Sequence, residues 1–364
     1  MNRRTRYIIR RELRSLLELK KTERLWHIPL LAGLCVGLPL LVGLFFGRLN
    51  EALLACTGGL VILYIPTTHI AARMRTMILC SLGFMVAFSV GLAFSFNPWL
   101  SSFMLGVLSF AVHWITRRFY RRPPGNFFFI MLLSMASCMP YQPETIVFKT
   151  AMVGLGALLA CVLAFLYTLL VIRKYPPQQA VASHAVRQQP FAGVVTSSVI
   201  GLVMGTSLLI AYLLQLDNPY WIPISCIAVM QGADQRHVFQ RSLQRILGTF
   251  IGLGFAWLIL SFHPGALAVC LSILLLQFIV EMLVVRHYGL AVIFITPLTL
   301  LLAEAGKAMT ANPAVLISAR FIDIVLGSLI GALGGWVLYH RELHLRATRE
   351  LRKARIAVRN LMSE

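Results

Sequence analysis

Acidic residues are scarce. The chain has 13 Asp plus Glu against 33 Lys plus Arg, a net charge of +20, and only 13% of its 364 residues are charged. A soluble domain carries about 25% charged residues, so this chain lacks the polar surface that a water-exposed globule needs. Other absences narrow the function further. No glycine-rich phosphate loop ending in Gly-Lys-Ser/Thr occurs, which excludes a P-loop nucleotide motor. No serine elbow or zincin motif occurs, so nothing marks an enzyme. The seven cysteines (Cys35, Cys56, Cys80, Cys138, Cys161, Cys226, Cys270) all lie in apolar runs, and no two have CxxC or metal-ligand spacing. They read as small packing residues, with no disulfide, metal or cofactor expected.

Apolar length is abundant. Hydrophobic residues make up 58% of the chain and the mean hydropathy is +0.78. A membrane-crossing helix needs about 20 apolar residues. Runs of roughly that kind fall at 28–47, 51–69, 77–96, 98–116, 126–141 and 147–172. A second set falls at 192–215, 219–233, 245–262, 265–285, 288–304 and 313–339. The expectation is an all-α polytopic membrane protein of about twelve transmembrane helices. A basic amphipathic helix, 1–27, precedes the first six-helix set, 28–172. A polar linker, 173–190, separates it from the second set, 191–340, and a basic tail, 341–364, follows. With the N-terminus in the cytoplasm and alternate loops outside, 29 of the 33 basic residues fall on cytoplasmic segments. That charge bias explains +20 through topology and anionic lipid, without nucleic acid. It places both termini in the cytoplasm of a bacterial inner membrane.

The two sets echo one another. Phe96-Asn-Pro98 is matched by Phe262-His-Pro264, Lys149 by Arg320, and Gly156 by Gly327. Each set has an even number of helices, so the halves form a parallel repeat with a site expected between them at mid-membrane.

Ionisable residues inside apolar spans are costly and mark function. Arg320 and Asp323 stand three residues apart on one helix face. They are either a packing ion pair or a functional pair. In the functional case Arg320 takes a substrate carboxylate and Asp323 carries a proton. Lys149, in the matching place, either snorkels to the outer surface or attracts substrate. Glu281 is a second proton-coupling candidate, against pairing with Arg286 at the membrane surface. Gln240, Arg241 and Arg245 form a polar cluster at the inner mouth, a cytoplasmic vestibule or a topology anchor. Tyr220 and Trp221 are an interfacial aromatic pair or a stacking surface for a substrate ring.

Three stretches carry a family resemblance. They are Asn218-Pro-Tyr-Trp-Ile-Pro-Ile-Ser225, Gln240-Arg-Ser-Leu-Gln-Arg-Ile-Leu-Gly-Thr249, and Arg320-Phe-Ile-Asp323 with Gly327. In this order they resemble the fusaric-acid-resistance-like family, which includes aromatic-acid exporters and has plant anion-channel relatives. The resemblance covers about 192–340. The first half departs from it: Arg75 lacks a following Gly-Thr, and Lys149 replaces Arg. The large cytoplasmic domain that many relatives carry between the halves is also missing. The resemblance implies proton-coupled export of aromatic or hydrophobic carboxylates, often with a periplasmic adaptor protein. Competing readings are a passive anion channel and a non-transporting subunit of an envelope complex. The glycine-rich helix faces are compatible with a homodimer.

Overall fold

The computed structural model describes residues 22, 24–119, 123–171, 190–304, 313–340, 342, 346 and 348–350. Among these there is no strand. The helices are α1 (His27–Phe45), α2 (Leu49–Gly59, continued by a 3-10 turn Leu60–Tyr64), α3 (Ile70–Ala93), α4 (Pro98–Phe119), α5 (Phe127–Ser137) and α6 (Pro143–Val171). They continue as α7 (Pro190–Leu213), α8 (Trp221–Met230), α9 (Gln235–Ser261), α10 (Ala266–Leu283), α11 (Tyr288–Glu304) and α12 (Pro313–Tyr339). The expected amphipathic helix of 1–27, the 173–190 linker and most of the 341–364 tail lie outside the described residues.

Helix starts are written in local sequence. Proline opens α4, α6, α7 and α12, where its missing N–H costs nothing. Asp234 caps α9 by accepting from the His237 N–H at 2.8 Å. Asn97 accepts from the N–H groups of Trp99 and Leu100 at the start of α4.

Eight helices (α1, α3, α4, α6, α7, α9, α10 and α12) are long and apolar enough to cross a membrane. The other four are shorter apolar helices. At 1.5 Å per residue, ten-residue α8 and eleven-residue α5 reach only about 15–17 Å, against about 30 Å of hydrocarbon. The twelve expected apolar segments are thus all helical, but among the described residues α5 and α8 are too short to cross on their own. All ten residues of α8 are buried in protein. Its ends can therefore stop at membrane depth without exposing backbone to lipid.

Short helices occupy the second, fifth, eighth and eleventh places. Packing follows the same period. The pairs α1–α2, α2–α6, α1–α6, α3–α5, α3–α6 and α4–α5 recur as α7–α8, α8–α12, α7–α12, α9–α11, α9–α12 and α10–α11. Contacts α4–α7 and α10–α1 join the two sets. Gly156 of α6 lies against the Ala55 carbonyl of α2, and Gly327 of α12 against the Ile222 carbonyl of α8, so closely that neither site can hold a Cβ. The turn after α1 puts Gly47 at φ +65°, with Gly47 N–H bonding Leu44 and Arg48 N–H bonding Gly43. The turn after α7 does the same with Gln215 at φ +51°, through Tyr212 and Ala211. Both are left-handed helix ends of the kind that favours glycine.

Polarity is arranged outward-apolar. On α9 the buried face holds Ser242, Arg245, Gly248, Thr249 and Gly252. Its exposed face carries Leu247, Phe250 (67% exposed), Ile251 and Trp257. A helix with small and polar groups inside and large apolar groups outside is solvated by lipid rather than water.

Candidate functional site

The polar interior gathers around α8. Its first turn presents the buried Trp221, with Tyr220 beside it at 4.9 Å between ring centroids and a 42° tilt. Arg320 of α12 is only 4% exposed. Its guanidinium lies over the face of the Trp221 ring, and Nη2 donates to Thr299 Oγ1 of α11 at 2.9 Å. Asp323, 2% exposed, sits one turn along α12. Gly327 comes one turn after that, pressed onto Ile222 and Ser225. The glycine lets α12 approach α8 closely enough for Arg320 to reach the indole. Cation–π contact and a hydroxyl acceptor together hold the guanidinium, and a desolvated contact of this kind contributes about 2 kcal/mol.

A second level follows toward the basic end of the bundle. Arg245 of α9, 5% exposed, donates through Nη2 to Ser225 Oγ at 3.2 Å and through Nη1 to the Tyr288 hydroxyl at 3.1 Å. One turn earlier on α9, Arg241 donates through Nε to the Ala228 carbonyl at 3.1 Å. Its guanidinium stands 4.0 Å from the Tyr288 ring centroid. Three arginines therefore meet successive turns of one buried helix, at Trp221, Ser225 and Ala228. The seven helical steps from Trp221 to Ala228 rise about 10 Å.

These placements revise several expectations. Arg241 and Arg245, expected at the inner mouth, lie on a helix, because α9 begins at Gln235, ten residues before the apolar run. The added turns place the two arginines on its inner face. Gln240 is partly buried on the same turn as Arg241. Trp221 is buried beneath Arg320, whereas Tyr220 beside it is partly exposed. Lys149 stands apart from this cluster, near the start of α6, where Nζ donates to Gln142 Oε1 at 3.3 Å. Glu281 is buried on α10, and its partner is Arg24, whose Nη1 lies 2.9 Å from Oε2, in place of the expected Arg286. The next residues of that segment are also tied: the Tyr167 hydroxyl and His27 Nδ1 are 2.6 Å apart. Thr299, Tyr288 and Arg24 were not legible as site residues. The signal for the first two is weak: isolated hydroxyls in an otherwise apolar α11.

Comparison with known proteins places this cluster within one recognisable segment. Residues 204–334 match the family of fusaric acid resistance protein-like proteins. The matched stretch holds every arginine of the α8 cluster together with Trp221, Tyr288, Thr299 and Asp323. An uncharacterised membrane protein of Bacillus subtilis, YvaC, is 38% identical over 141 residues, which is 39% of this chain and 22% of that protein. The uncharacterised protein slr1298 of Synechocystis is 33% identical over 133 residues, 34% of this chain and 16% of that protein. The alignments thus span about a fifth or less of these relatives' length. No solved structure matches significantly. The apolar helices and the membrane-protein relative make this a multi-pass membrane protein, one segment of which, 204–334, is similar to fusaric acid resistance protein-like proteins.

Proposed function

We propose that the protein exports small organic anions, aromatic or hydrophobic carboxylates, across a bacterial inner membrane, driven by the proton gradient. The observation that carries this reading is Arg320, a buried guanidinium laid on the Trp221 ring and bonded to Thr299, with Asp323 one turn away. A carboxylate would be taken by the Arg320 fork, and the indole face would accept an aromatic or apolar body. Asp323 would carry the coupling proton. Glu281, held by Arg24, is the weaker candidate for that role. The recurrence of helix lengths and pairings at an offset of six supports two six-helix repeats, each with four long and two shorter helices. The positive-inside bias supports cytoplasmic termini. A periplasmic adaptor and a homodimer stay compatible with this reading.

The test is efflux of radiolabelled benzoate from energised cells, comparing wild type, Arg320→Ala and Asp323→Asn at matched membrane levels. Export that a protonophore stops and that both variants lose supports a coupled exporter. Export retained by Asp323→Asn points to a passive channel. No difference between wild type and empty cells, or normal export by Arg320→Ala, refutes the reading.

A further inference from the structure

We propose that Arg241, Arg245, Tyr288 and Ser225 form a second, separate binding site for one small oxyanion, on the side of α8 toward the basic end of the bundle. Arg241 and Arg245 lie one helical turn apart on the same face of α9 and converge on one tyrosine. Like charges at this spacing repel, and a buried cation needs a counter-charge. Among the described residues no carboxylate lies within ion-pair distance of either. The sequence explains part of this: α8 and α9 contain no Asp or Glu, α11 carries only Glu304, at its far end, and Asp323 of the neighbouring α12 makes no ion pair with either arginine. The Arg245 Nε is buried and has no hydrogen-bond partner.

The donors define the ligand. Ser225 and Tyr288 each accept from Arg245, which leaves their own hydroxyl protons to donate. Two guanidinium groups have no acceptor atom. The site is therefore dominated by donors around two positive charges, which suits a group that accepts only: a carboxylate or a phosphate. A metal cation or an ammonium group would be repelled by the two guanidinium charges. Ser225 and Arg245 are buried, whereas Tyr288 and Arg241 are partly exposed, so the closed end lies against α8 and the approach runs past Arg241. The same oxyanion chemistry is presented by a free anion and by a lipid phosphate. Equilibrium occupancy of this site does not depend on which solute is exported or on whether transport occurs.

The experiment is thermal unfolding of the purified full chain in phosphatidylcholine nanodiscs, titrated with sodium benzoate or inorganic phosphate against choline chloride at equal ionic strength. Wild type should gain thermal stability saturably with at least one of the two oxyanions and not with the chloride control. Arg245→Gln should abolish the gain from phosphate and leave only what benzoate owes to Arg320. Tyr288→Phe, which keeps the ring and removes one donor, should weaken the apparent affinity about tenfold. Arg286→Gln, at an exposed position outside both sites, should leave it intact. In discs containing phosphatidylglycerol, a lipid-occupied site would stabilise wild type but not Arg245→Gln and would blunt the response to free anion. If Arg245→Gln does not fold, Tyr288→Phe and Arg241→Lys decide the matter. The proposal is overturned if neither free anions nor anionic lipid stabilise wild type. It is overturned equally if the gain persists undiminished in the α9 and Tyr288 variants. Lost binding with intact benzoate export would sink this site alone, and intact binding without export would sink the transport reading alone.

Discussion

The Arg24–Glu281 pair makes a quantitative prediction. Its two side chains retain 21% and 7% of their exposure, and Arg24 Nη1 also donates to the Glu281 carbonyl at 3.3 Å. Gln277 Nε2 reaches the other carboxylate oxygen at 3.5 Å, a marginal bond that cannot replace the arginine. Removing one member of a buried pair costs about 3–5 kcal/mol, because the other charge is left desolvated. Arg24 keeps a fifth of its surface, so solvent screens it when Glu281 is neutralised, and Glu281→Gln should cost about 2 kcal/mol. Arg24→Gln strands the more deeply buried carboxylate and should cost about 3 kcal/mol. The double variant leaves two neutral amides able to bond each other and should cost about 3 kcal/mol in all, a coupling of about 2 kcal/mol. The assay is equilibrium unfolding in mixed micelles by denaturing detergent, followed by tryptophan fluorescence. Arg286→Gln is the control: that side chain is exposed, and its replacement should shift stability by less than about 0.5 kcal/mol. Additive single effects, with coupling below about 0.5 kcal/mol, would refute the claim that this pair fastens the segment before α1 to α10.

Two further predictions test the packing. Gly156→Leu and Gly327→Leu drive side-chain carbon into the Ala55 and Ile222 carbonyls, so both should sharply lower the yield of monodisperse protein on fluorescence-detected size exclusion. Gly254→Leu, whose Cβ meets nothing within 4 Å, should not, and equal yields from all three would refute the close-approach argument. Gln215→Gly relieves a left-handed residue at φ +51° and should raise stability by about 1 kcal/mol in the same detergent titration. A loss of stability would mean that the Gln215 side chain contributes more than its backbone strain costs.

Much of this architecture was legible from apolar run length, because lipid solvation demands it. All twelve runs became helices, and Pro98, Pro143 and Pro313 fixed where three of them start. Run length failed where polar residues continue a helix. Arg73 and Arg75 in α3, like Arg241 and Arg245 in α9, are charged turns of helices whose apolar stretch begins later. Hydropathy could not distinguish such a turn from a loop. It also overstated α2, α5 and α8, since buried residues in protein and in lipid are equally apolar. Within the site, the residues Arg320, Asp323, Trp221, Arg241 and Arg245 stood out as polar or aromatic exceptions in apolar runs. Their pairing did not, because it depends on which helix faces which: Arg320 lies 99 residues from the tryptophan it covers, and Glu281 lies 257 residues from Arg24.

The two sets of helices pack alike but are charged differently, and that contrast bears on where function resides. Where α12 places Arg320 over an indole, α6 has Lys149 directed at Gln142. Where α9 turns Arg241 and Arg245 onto α8, α3 offers Arg73, whose Nη1 bonds Thr168 of α6 at 2.8 Å. The Cys56 thiol bonds the Val36 carbonyl of α1 and the Cys226 thiol the Gly327 carbonyl of α12, so small-residue packing persists in both. Backbone approach through glycine and cysteine is a condition of the shared framework, and either set satisfies it. Buried guanidinium groups destabilise a membrane interior unless a ligand or partner offsets them. Their concentration around α8 makes the second set the place to test the binding proposed above. Exchanging Lys149 for Arg should leave benzoate efflux unchanged, whereas Arg320→Lys, which loses the planar fork and the stacking on Trp221, should reduce it at least tenfold. Equal sensitivity at the two places would mean that both sets bind substrate and that the asymmetry of charge is incidental.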